Sequence, residues 1–99
     1  AVRFLVNSEA MYSMLPKPAW ESIRLVAKRE MSLGLADGTT KQRWMSECYF
    51  FLPQGDGHAP VILGEPGDDQ ALLGVVTLEV LGLEFNPIIR TLQAMRVLA

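Results

Sequence analysis

Apolar and polar residues alternate most strictly over Arg29–Leu35: Met31, Leu33 and Leu35 fall on one face, Glu30, Ser32 and Gly34 on the other. A period of two over this length predicts a strand with one buried face. Asp37-Gly38 follows as a two-residue hairpin signal, and Thr39–Leu52, rich in Thr, Trp, Tyr and Phe, is the returning strand. Pro53–Gly57 predicts a second turn, and the wholly apolar Ala59–Leu63 a short strand buried on both faces. Earlier in the chain, Ala1–Val6 suits a strand, Asn7–Ala10 is a polar interruption, and Met11–Leu15 is apolar again until Pro16 stops it. Pro18 sits comfortably in the first turn of a short helix over Pro18–Leu25. Later, Gly64–Gln70 predicts a loop, Ala71–Leu73 a strand, and Val75–Leu83 a helix started near Thr77 and ended at Gly82. Ile88–Leu98 predicts a last strand or a pair of short ones. Short strands, hairpin turns and one helix in the C-terminal half make an all-β domain, a small closed barrel or a sandwich.

Composition narrows the function more than the fold. The chain has 99 residues, enough for one domain with a modest core, and its 49% apolar and 20% charged residues are those of a globular protein. A formal net charge of -2 argues against nucleic-acid or anionic-membrane partners. No apolar run reaches the length of a membrane span. A lone Cys48 excludes an internal disulfide and a cysteine-based metal site, and fits a reducing cytoplasm. His58, also alone, falls in the predicted turn Gln54–His58 and reads as solvated.

The order of parts resembles one protomer of the retropepsin-like (clan AA) aspartic proteases, most of all the small bacterial and archaeal type. The matching pieces are Phe4-Leu5-Val6 with Ala10, Met14-Leu15-Pro16, Leu35-Ala36-Asp37-Gly38-Thr39, Val61–Gly67, and the block from Leu72-Leu73-Gly74 through Leu83-Glu84-Phe85. They follow one another in the family's order along nearly the whole chain. The resemblance implies a single retropepsin-like domain over residues 1–99, a barrel-like protomer, a twofold homodimer and an extended peptide or protein substrate, with no cofactor and no metal. It further implies that Ala36, Asp37 and Gly38 form the tip of a substrate-covering flap. Leu72, Leu73 and Gly74 would be the structural turn beneath the active site. Only six residues precede Asn7, so the family's N-terminal hairpin has no counterpart here.

The family's catalytic turn reads Asp-Thr/Ser-Gly. Here Asn7 stands at the aspartate position, Ser8 at the Thr/Ser position and Glu9 at the glycine position. In such enzymes two carboxyls share a site, one protonated and one ionised, to activate water. A carboxamide cannot ionise and cannot act as that base. The expected molecule is therefore an aspartic endopeptidase homologue that is inactive as written. The alternative is a non-catalytic homodimeric module that binds a peptide, or is purely structural, in the same cleft. Glu9 could also substitute as the carboxylate.

Other features carry blander readings. Trp44 is a core or interface aromatic rather than a substrate contact. Asp68-Asp69 read as a solvated loop rather than a metal site. Glu79 and Glu84 read as exposed. The five methionines read as core fillers.

Overall fold

A computed structural model describes residues 2–95 of the chain. It contains eight strands and two short helices: β1 (Phe4–Val6), β2 (Ser13–Leu15), α1 (Lys17–Ser22), β3 (Arg29–Gly34), β4 (Thr40–Leu52), β5 (Gly55–Leu63), β6 (Ala71–Leu73), α2 (Val75–Val80), β7 (Leu83–Asn86) and β8 (Thr91–Ala94). Six strands form one sheet in the order β1-β6-β2-β5-β4-β3, and β7 and β8 pair separately. The large sheet curls into half a barrel. Among the described residues it does not close: β1 and β3 each pair on one side only, in place of the closed barrel expected from the sequence.

Two strands that follow one another in the chain, β1 and β2, are not neighbours. β6 runs between them, parallel to β1 (Leu5 opposite Leu72) and antiparallel to β2 (Met14 opposite Leu72). This insertion brings the polar interruption after β1 against the start of α2. The long hairpin β4–β5 pairs from Trp44 opposite Leu63 to Leu52 opposite Gly55.

The two faces of the sheet differ. One carries Leu15, Val61, Leu63, Leu73 and Phe50 into the core, where Leu78 and Leu81 of α2 and its following turn cover them. Full burial of each such side chain stabilises the fold by about 1.5–3 kcal/mol. Gly74 caps α2 at its N-terminus and leads straight from β6 into the helix, so the helix starts at Val75, not near Thr77. Gly82, at φ 70°, ends the turn after it, and Leu83 already belongs to β7. The other face of the sheet has no helix over it.

Several local expectations need correction. The β4–β5 loop is Pro53-Gln54 alone, so Asp56-Gly57 and His58 lie within β5. Glycine serves close approach there: a Cβ on Gly55 would sit 2.9 Å from the Leu81 carbonyl oxygen, and one on Gly57 3.4 Å from side chains of Val80 and Leu81. His58 is an exposed strand residue, edge-on to the Tyr49 ring at 5.1 Å. Residues 59–63 are buried on one face and half-buried on the other. The tip of the β3–β4 hairpin is a three-residue loop. Leu35 and Thr39 still bond, Gly38 donates to the Leu35 carbonyl, and Gly38 takes a left-handed φ of 88°. Part of the last predicted strand is β8; its residues 96–98 lie outside the described residues.

Candidate functional site

Asn7, Ser8 and Glu9 occupy a tight turn. The Ala10 amide donates to the Asn7 carbonyl at 3.1 Å, and the Glu9 amide donates to Asn7 Oδ1 at 3.1 Å. The Asn7 side chain thus serves its own turn, as Asn commonly does. The turn is in turn bolted to the β6–α2 junction. The Asn7 amide donates to the Leu73 carbonyl (2.9 Å), and the Val75 and Val76 amides donate to the carbonyls of Ala10 and Met11 (2.8 and 2.9 Å). The latter two are helix-start amides that have no partner inside the helix, and the segment after Asn7 satisfies them.

The contact leaves no room for a side chain at Gly74. A Cβ there would lie 2.5 Å from the Tyr12 carbonyl carbon. Beneath it, Ser13 Oγ accepts from the Gly74 amide (3.0 Å) and shares a hydrogen bond with Thr77 Oγ1 (2.5 Å), both hydroxyls being fully buried. The sequence pattern alone does not connect Ser13 with Thr77, since the two are 64 positions apart.

The turn forms one wall of a cleft of about 660 Å³, a size usual for a binding site. Glu9, Ala10, Met11 and Tyr12 line this wall, and Met31 through Leu35 line the opposite one. Successive strand side chains point to opposite faces, so five consecutive lining residues mean that β3 presents its edge. That edge is free. The Leu35 amide donates to the Thr39 carbonyl, and pairs alternate along an antiparallel ladder. Ser32 and Gly34 therefore turn their amides and carbonyls away from β4, toward the cleft side.

The floor is a single apolar row. Leu72, Met14 and Ile62 stand opposite one another on β6, β2 and β5 and all line the cleft. The row continues to exposed Leu5 on β1 and to buried Met45 on β4. Three of the five methionines (Met11, Met14 and Met31) line the cleft, and Met45 alone of those expected in the core is fully buried.

The predicted site residues are brought together in part. Asn7, Ser8 and Glu9 lie on the Leu73-Gly74 turn, with Leu72 in the floor. Ala36, Asp37 and Gly38 are at the hairpin tip above the cleft-lining edge, all three exposed. Asp37 Oδ1 accepts from the Thr39 hydroxyl and amide (2.6 and 2.9 Å), which holds its carboxyl below the usual carboxylate range. Its oxygen is committed to the loop.

Away from the cleft, Trp44 is half-exposed beside a small groove with Trp20, whose Nε1 donates to the Gly64 carbonyl. Asp68 accepts from the Glu65 amide and, with Glu65, faces the Arg43 guanidinium (3.6 and 3.3 Å), so half of the acidic pair is engaged rather than free in solvent. Glu79 and Glu84 are exposed. Burial pushes the Cys48 thiol up to about 11, the opposite of an activated nucleophile.

Among the described residues no helix is long and apolar enough to cross a membrane. No protein-family model matches the chain, and no match to a curated protein was found.

Proposed function

We propose that this chain is a retropepsin-like aspartic endopeptidase homologue whose catalytic turn has lost its acid. In this reading it acts as a homodimeric, non-catalytic module that binds an extended peptide, in a reducing, cytoplasmic setting. One observation carries the reading. A polar turn at Asn7–Ala10, with Met11 after it, is bonded through Leu73, Val75 and Val76 to the Leu-Leu-Gly turn and the helix start beyond it, and it faces a hairpin edge free among the described residues across an apolar cleft. A catalytic turn, the turn supporting it and a flap would need that relation in one protomer. The free amides and carbonyls of Ser32 and Gly34 suit main-chain pairing with an added strand. The apolar row below suits its side chains.

Chemistry is what the turn lacks. Asn7 offers a carboxamide where water activation needs a carboxylate. Its Oδ1 already accepts the Glu9 amide. If two such turns meet about a twofold axis, as the resemblance implies, two Glu9 side chains meet where glycine would allow close approach.

The test is cleavage of a mixed peptide library between mildly acidic and neutral pH, by the chain as given and by the double variant Asn7→Asp with Glu9→Gly. The chain as given is expected to be silent and the variant to cleave, with inhibition by a transition-state peptidomimetic. Cleavage by the unsubstituted chain would transfer the carboxylate role to Glu9, which lines the cleft. Silence in both, together with no binding of extended peptides, would sink the reading.

A further inference from the structure

The cleft has one electrostatic feature. Of the side chains that line it, Glu9 alone carries charge; the others are apolar apart from Tyr12 and Ser32. The Glu9 carboxylate is exposed and has neither an ion-pair partner nor a hydrogen-bond donor among the described residues. Its backbone is not free to wander, because its amide is held by Asn7 Oδ1 and the next residue closes the turn on the Asn7 carbonyl. The charge is therefore tethered, at the end of a mobile side chain, to the wall opposite the β3 edge.

We infer that the cleft selects extended peptides that combine apolar side chains with one basic residue, Lys or Arg, set against Glu9. This rests on the peptide-binding reading above. A strand added along the β3 edge alternates its side chains. One set lies over the row of Leu72, Met14 and Ile62. The charge on the wall then favours a cation on the peptide and disfavours an acid there, the usual way in which charge sets specificity and register rather than bulk affinity. The same residue that departs furthest from a glycine-bearing catalytic turn becomes the specificity determinant.

A positional-scanning library of blocked, extended decapeptides tests this, with bound fractions sequenced for the chain as given, Glu9→Gln and Glu9→Lys. For the chain as given, Lys and Arg should be enriched at one position by about two- to fivefold, the range of an exposed ion pair. Half-molar salt should flatten that enrichment. Glu9→Gln should lose the preference, and Glu9→Lys should turn it toward Asp and Glu. Circular dichroism of each variant checks that the exposed substitution leaves the fold intact. Peptide binding with no basic preference, or a preference that survives Glu9→Gln, would overturn the inference while leaving the peptide-binding reading standing. No peptide binding by any of the three would overturn both.

Discussion

At the scale of single residues, the β6–α2 junction to which the Asn7 turn is bonded is held by two hydroxyls and a glycine. Ser13 is buried in full and serves two partners, the Gly74 amide and the Thr77 hydroxyl. Replacing Ser13 by Ala strands a buried amide and leaves a buried hydroxyl short of its partner. The expected cost is about 1–3 kcal/mol, seen as a lower urea midpoint at unchanged slope; an unchanged midpoint would mean that the pair is dispensable. The frame Val6-Asn7-Ser8-Glu9-Ala10 marks a polar interruption between two apolar stretches, and the structure places a turn there. What that frame could not reveal is that Asn7 Oδ1 faces inward to its own turn, because such a bond depends on a rotamer and not on spacing. The methionines were misjudged for a related reason. An apolar side chain at strand spacing marks a face, but it does not say how deeply that face is covered: Met45 is buried, while Met14 and Met31 on the same face are only half-buried.

At the scale of elements, strand existence was legible and turn geometry less so. The alternation over Arg29–Leu35 became β3, and the apolar stretch from Thr39 became β4. Glycine misled where it serves contact instead of turning: Gly55 and Gly57 sit within β5 because the end of α2 lies against them. At the other hairpin Asp-Gly does mark the tip, but the register leaves three residues in the loop. There Asp37 braces the tip through Thr39. Because the native loop favours the ionised carboxyl, its contribution to hairpin order is complete above the ordinary carboxylate pKa and is lost as pH falls through the lowered one. The Thr39 amide resonance should follow this titration with a midpoint below that of an exposed aspartate. A midpoint at the ordinary value, or no response, would show that the brace is not formed in solution. Loss of the brace at low pH would loosen the hairpin that bounds the cleft.

At the scale of the whole molecule, the fold class followed from the pattern, while closure of the barrel did not. Closure depends on whether terminal strands find partners, and among the described residues β1 and β3 each keep an open edge. Such edges invite pairing with another chain, which is how a peptide or a second copy would join this sheet. The placement of β6 has a further consequence, one of order in time. β1 begins at Phe4, yet its only partner among the described residues is β6, which begins at Ala71. The cleft wall built on Asn7 therefore cannot be assembled until β6 has been made, and it must come apart whenever β6 leaves the sheet. The amides of Asn7, Val75 and Val76 should accordingly exchange with solvent deuterium as one cooperative unit at a single opening free energy. Clearly different protection at Asn7 and at Val75 would show the two ends of the chain parting independently. A nascent chain stopped before Ala71 would hold the sequence of the cleft wall but lack the strand it folds against.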